Sequence, residues 1–227
     1  MKKKAAHKSL FIGFEGTEGA GKSTQILALY AHLAHLGYNT ILTREPGGTD
    51  EATALRALLK DTTMQWSVNA ETLLFAAARN TSYEQVIKPN LAKGTIILCD
   101  RTIFSSLSMQ GHHPTDMQRI IDLHREYNDN LWPDLVCYLN APAAYTLERA
   151  RARHGDGGDR LEQRDTSFFE QSNRIMQELA SNPAALNDYG IPQLPPIETI
   201  DAMGDIPTIT ARVIDAVTPY LPQMHTT

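Results

Sequence analysis

Residues 11–25, FIGFEGTEGAGKSTQ, constrain the fold of this chain more than any other stretch. A short apolar run enters a cluster of glycines, and a lysine, a serine and a threonine open the amphipathic segment beyond it. Glycine tolerates positive φ, so successive backbone N–H groups can turn inward toward one anion. The N-terminus of the following helix adds its partial positive charge. Gly16-Thr17-Glu18-Gly19-Ala20-Gly21-Lys22-Ser23 fits G-x-x-x-x-G-K-[ST], the P-loop spacing, with a strand before it and a helix after it. Lys22 is then the group for the β- and γ-phosphates of a nucleotide, and the Ser23 hydroxyl suits Mg2+.

The rest of the chain repeats that strand–helix pattern. Apolar runs at 9–14, 39–43, 95–100, 134–142 and 196–202 read as five strands. Between them lie amphipathic stretches. Ile26, Leu29, Tyr30, Leu33 and Leu36 share one helical face that Gly37 ends. A helix over 50–61 has Asp50 as its expected N-cap. Residues 69–94 read as mostly helix, interrupted or kinked near Pro89 and stopped at Gly94. Further helices are expected over 114–131, 143–154, 166–180 and 206–221. Strands that are apolar throughout, alternating with helices, imply a parallel sheet covered on both faces. Such sheets bind ligands at the carboxyl ends of their strands. The glycine loop, TREPGG (43–48) and Asp100-Arg101 all fall there. The turn-rich stretch 181–196 reads as a surface connection.

A chain of 227 residues, 42% hydrophobic, suits one domain over 1–227. Its net charge of -5 argues against a general nucleic-acid binder. The apolar run after the N-terminal lysines is about one strand long, too short for a signal core. No stretch approaches the ~20 apolar residues of a membrane span. Cys99 and Cys137 lie inside apolar runs and read as small buried hydrophobes, which fits a reducing cytoplasm.

Asp100 is the expected metal partner, directly or through water. Arg101 beside it suggests a group for a second phosphate. The guanine-reading N-K-x-D of a GTPase switch is absent from the sequence. A kinase for small molecules needs two anion sites and a lid. Arg149, Arg151, Arg153 and Arg160, flanking GDGG at 155–158, are the lid candidates. Arg149 and Arg153 are four apart, where like charges repel by a few tenths of a kcal/mol unless phosphates offset them. An acceptor phosphate has a second pKa near ~6 and needs no general base. The obstacle to transfer is repulsion between two anions, which cations, a metal and exclusion of water relieve.

FEGTEGAGKST, TREPGGT, LRALL, LLFAAAR, VIKPNLAKGTIILCDR, PDLVCYLNAP, RARARHGDGGDRLEQ and TIDA occur in that order. Together they resemble the thymidylate kinase family across nearly the whole chain. The resemblance implies a P-loop NTPase-type α/β/α fold, three-layered, with a five-stranded parallel sheet and a short lid over about 149–163. It implies ATP and Mg2+ as cofactors, dTMP as acceptor, dTDP and ADP as products, and a homodimer without nucleic-acid or membrane partners. Gly16, Thr17, Glu18, Gly19, Ala20, Gly21, Lys22, Ser23 and Thr24 match the ATP cradle, and Ser23 and Asp100 the metal positions. Glu18 matches an acid near the deoxyribose 3′-hydroxyl. Arg44, Arg56 and Arg101 match positions near the acceptor phosphate, and Glu45-Pro46 the turn that shapes its pocket. Phe75 matches the ring that stacks on thymine, Arg79 the side chain that bonds it, and Ser105 and Ser106 contacts to the base edge. Lys22, Glu18, Arg101, Arg149, Arg153 and Arg160 match the catalytic set. Read alone, LLFAAA assigns Phe75 to a core face and Arg79 to an exposed one.

Gly19 stands where some members carry arginine, and members without it put catalytic arginines in the lid. Met109 stands where an aromatic residue is usual near the sugar. His112 and His113 take no role from the resemblance and read as solvated. A kinase of the same fold for another monophosphate or a deoxynucleoside, and a slow P-loop ATPase regulator, are the competing readings.

Overall fold

The apolar runs become five parallel strands: β1 (Leu10–Glu15), β2 (Thr40–Arg44), β3 (Ile96–Asp100), β4 (Leu135–Asn140) and β5 (Ile197–Asp201), in the order β2-β3-β1-β4-β5. This is a computed structural model, which describes residues 9–154 and 158–223, without the side chains of Arg153 and His154. The order puts β1 at the centre, between β3 and β4, so the glycine loop leaves the middle of the sheet.

The helices are α1 (Lys22–His35), α2 (Asp50–Lys60), α3 (Val68–Ser82), α4 (Lys88–Leu91), α5 (Ile103–Met109), α6 (Pro114–Tyr127), α7 (Ala143–His154), α8 (Thr166–Ser181) and α9 (Ile206–Val217). Successive strand residues point to opposite faces. Ile12, Phe14, Leu98, Cys137 and Leu139 pack with Leu29 and Leu33 of α1 and Val213 and Val217 of α9. Val136 and Tyr138 pack on the other face with α5, α6 and α8. Phe11, Ile97 and Cys99 meet Tyr83 and Ile87 there. Both cysteines are buried free thiols, as expected. Among the described residues no helix is long and apolar enough to cross a membrane.

One local expectation is corrected and two gain detail. Thr49, not Asp50, caps α2: its hydroxyl accepts from the Ala52 amide at 3.1 Å, and Asp50 sits inside the first turn. The interruption expected near Pro89 is a π-helical turn over Tyr83–Ile87, and Pro89 lies in the first turn of α4, where it costs that helix no hydrogen bond. The stretch 181–196 is a largely exposed connection, as expected, but three of its side chains pin it to the protein. Leu186, Ile191 and Leu194 are buried in the core beside α6 and α8, each burial contributing about 1.5–3 kcal/mol.

His124 of α6 is buried between the ring edges of Tyr83 and Trp132. Burial, and then the Arg79 charge, push its pKa from 6.5 down to about 3. Between those values the unfolded chain binds a proton that the fold refuses. Stability is therefore complete above pH 6.5 and falls as the pH drops below it, by ~3 kcal/mol at pH 4. His124→Phe keeps a flat ring and removes this proton linkage. Its acid-unfolding midpoint, followed by circular dichroism, is expected to move to lower pH. An unchanged midpoint would refute the assignment.

Candidate active site

The loop after β1 wraps the start of α1. Gly21, at φ 94, caps the helix in a left-handed conformation that a side chain would strain. Gly19, at φ 79, faces α7 so closely that a Cβ would lie 1.9 Å from the Thr146 carbonyl oxygen. This packing leaves no room for an arginine there. Thr17 and Thr146 share a hydroxyl hydrogen bond of 2.8 Å across the same contact. The Lys22 ammonium donates to the carbonyls of Gly16 and Thr17, both at 2.9 Å, and so lies over the cradle. Burial, with Arg101 nearby, lowers its pKa to about 8 against the opposing pull of Glu18, Asp100 and Glu15.

The strand ends around this loop supply acids and bases. Ser23 Oγ donates to Asp100 Oδ2 at 2.9 Å, which brings two hard oxygens together at the mouth of the cradle. Among the described residues no cluster of three or more metal-ligating side chains occurs. Ser23 and Asp100 fit Mg2+, an ion that takes few protein ligands and completes its shell with water and phosphate oxygens. Arg101 adopts φ 74, which costs a non-glycine residue about 1–3 kcal/mol. That turn sends its guanidinium back over β1. It donates to the Gly16 carbonyl at 3.3 Å, to Ser105 Oγ at 3.1 Å and to Glu18 at 3.2 Å.

Arg79 is only 3% exposed. It donates through Nε to Glu45 at 2.7 Å and through one terminal nitrogen to Ser106 Oγ at 2.8 Å. Burial raises the Glu45 pKa, and Arg79 opposes that rise. Arg56 donates to the Pro46 carbonyl at 3.2 Å, tying α2 to the turn after β2.

These groups surround one cavity of about 350 Å3 at the carboxyl edge of the sheet. Glu18, Gly19, Gly21, Lys22, Ser23 and Thr24 line one end. Arg44, Pro46, Arg56, Phe75, Arg79, Arg101, Ser105, Ser106 and Met109 line the remainder, with Asp100 between. Phe75 is thus a half-buried cavity wall rather than a core residue, and Arg79 is buried rather than exposed. Gly16, Thr17 and Ala20 shape the loop from behind. Of the lid candidates, Arg149 is exposed and lies 5.6 Å over the Tyr145 ring, and Arg151 is exposed. The Arg153 side chain lies outside the described residues. Arg160 is bound to Glu71 at 2.6 Å and to the Leu59 carbonyl at 2.9 Å.

Sequence reasoning missed several residues here. Glu15, fully buried at the end of β1, accepts from the Thr102 amide and hydroxyl and the Ser105 amide and hydroxyl at 2.6–3.2 Å. An acid inside an apolar strand was the available signal. Arg164 and Phe168 also line the cavity and gave no local signal, and Leu161 and Glu162, inside the expected lid, line it without having been given a role. The histidines are not merely solvated. His112 packs its ring 4.7 Å from Phe168 and contacts the Ser108 carbonyl at 2.9 Å, and His113 caps α6.

The thymidylate kinase family pattern matches residues 14–189. The chain belongs to the thymidylate kinase family. The thymidylate kinase of Halothermothrix orenii is 40% identical over 177 residues, covering 77% of this chain and 86% of the relative. That of Rhizorhabdus wittichii is 36% identical over 214 residues, covering 93% and 98%. The crystal structure of thymidylate kinase from Ehrlichia chaffeensis superposes with a TM-score of 0.72 at 26% identity, over 92% of this chain and 98% of that one. The five-stranded parallel sheet with helices on both faces is the fold expected of this family, and the chain is a nucleoside monophosphate kinase.

Proposed function

We propose that this thymidylate kinase family member transfers the γ-phosphoryl group of ATP to dTMP, giving dTDP and ADP, as the names of its relatives imply. One observation carries the reading. A single cavity has the Lys22 cradle at one end and Arg44, Arg56 and Arg101 at the other, with an aromatic wall at Phe75. A slow ATPase has no use for the second set of cations.

The acceptor phosphate attacks as an ionised oxygen, so the chain need only bring two anions into line and shield them. Lys22 is suited to the β,γ-bridge end of the donor. Arg101, held by Glu18 and fixed against the P-loop, is suited to the acceptor phosphate between the two ends. Glu18 then lies within reach of the sugar. Phe75 supplies a flat apolar face for a base, and Arg79, locked by Glu45 and Ser106, supplies donors to its edge. Mg2+, held by Ser23 and Asp100, would supply charge neutralisation on the donor phosphates. Arg149, Arg151 and Arg153 belong to this reading as cations carried by α7 for the transferring group, and Arg160 as the residue that anchors the segment after it. The reading includes a single domain over 1–227, a cytoplasmic setting and a homodimer. Exposed Leu73 and Ala77, one helical turn apart on α3, offer an apolar stripe for the dimer.

The test is ADP release with Mg·ATP against dTMP, dUMP, UMP, dGMP, dCMP, AMP and thymidine. Turnover with dTMP is expected to exceed all others by at least about tenfold, the factor that ~1.4 kcal/mol of selective contact gives. Equal turnover with UMP, or turnover with thymidine alone, would overturn the acceptor assignment.

A further inference from the structure

One carboxylate outside the reacting set gathers the roof of the cavity. Glu71 lies in the first turn of α3, four residues before Phe75 and so on the same helical face. It is 3% exposed. Its Oε1 accepts from Arg164 at 2.5 Å and from Gln110 Nε2 at 3.0 Å, and its Oε2 accepts from Arg160 at 2.6 Å. Three elements that are distant in sequence thus end on one side chain: the end of α5, the turn after α7 and the start of α8.

The segment 158–164 is fastened at its other side to the end of α2. Arg160 donates its amide to the Lys60 carbonyl at 3.2 Å and its Nε to the Leu59 carbonyl, and Lys60 pairs with Asp159 at 2.7 Å. Between these two anchors Leu161, Glu162 and Arg164 face the cavity, and the Arg164 guanidinium lies 4.2 Å over the Phe168 ring. The charge count matters. Two guanidiniums meet one carboxylate, so removing that charge leaves two like charges facing a neutral group.

We propose that Glu71 is a positioning residue for the acceptor: acting through Arg160, Arg164 and Gln110, it holds 158–164 as the roof opposite Phe75. It touches no reacting group, so its loss weakens acceptor binding and largely spares the chemical step. The proposal rests on dTMP occupying this cavity.

The experiment compares the parent with Glu71→Gln in two readouts. With saturating Mg·ATP, KM for dTMP is expected to rise about tenfold while kcat falls less than threefold and KM for ATP stays within twofold. A merely structural role would lower thermal stability without this split. In amide hydrogen exchange without ligand, the amides of Arg160, Glu162 and Gln163 are expected to exchange faster, with the β1 and β3 amides unchanged. If Glu71→Gln does not fold, Arg164→Gln, at a partly exposed position, is expected to raise KM for dTMP at least threefold and to speed the same amides. A KM within twofold of the parent, with unchanged exchange at 159–164, overturns the proposal. A parent that does not phosphorylate dTMP overturns the proposed function instead, and the exchange comparison still decides the role of Glu71.

Discussion

Lys22→Ala is expected to lower kcat by about 10^3-fold, ~4 kcal/mol of transition-state stabilisation, in the range seen when one preorganised charge donor is removed from a dry site. The ammonium is buried beside the cradle and is aimed by two carbonyls of the loop it serves, so it needs no reorganisation when phosphate arrives. Its pKa of about 8 gives the same residue a pH signature. Bound phosphate favours the charged form, so binding requires a proton that the free protein loses as the pH passes 8. Affinity for Mg·ADP, measured by calorimetry, is expected to be constant below pH 7 and to fall above pH 8, approaching tenfold per unit. In Lys22→Ala that dependence should vanish. An unchanged kcat in the variant, or a flat affinity profile in the parent, would contradict the role given to Lys22.

Glu45→Ala carries the second large effect. It strands the Arg79 guanidinium in a site that is 3% exposed, with Ser106 and the Thr102 carbonyl as its remaining partners. Removing one member of a buried ion pair costs about 3–5 kcal/mol. For a chain of this size that is a fall in Tm of roughly 10–15 °C. The pair is not itself a large source of stability, because desolvation offsets its attraction. Replacing both members with apolar residues, as in Glu45→Leu with Arg79→Met, should recover most of the lost Tm. Binding of dTMP should not recover, since the base-edge donors are gone. Scanning calorimetry and dTMP titration on both variants separate the two outcomes. A double variant that binds dTMP normally would remove Arg79 from the acceptor site.

The parts of this molecule that were legible in sequence are those set by local chemistry. Strands buried on both faces read as unbroken apolar runs, and a P-loop is a local device whose flanks can be checked. The cap of α2 was misread by one residue because Thr49 and Asp50 are both competent caps. Helical periodicity assigns Phe75 to an apolar face, but that face can be a core or a cavity wall. Arg79 could not be read as buried because its partner, Glu45, is 34 residues away on another element. The resemblance assigned both to the base pocket, without the burial of Arg79. Glu71 and Arg164 were invisible for the same reason, since their chemistry exists only where α3, α5 and α8 converge. Prolines and turn formers in 181–196 mark irregular backbone, and irregular backbone can still bury leucines.

Phosphoryl transfer in this cavity runs directly between two bound nucleotides. The direct measurement supplies ATP labelled at its γ-phosphate, with Mg2+ and dTMP, and follows where the label goes. Label is expected in the β-phosphate of dTDP, appearing in step with ADP, with little as inorganic phosphate. Label released as inorganic phosphate at the same rate with and without dTMP would contradict it.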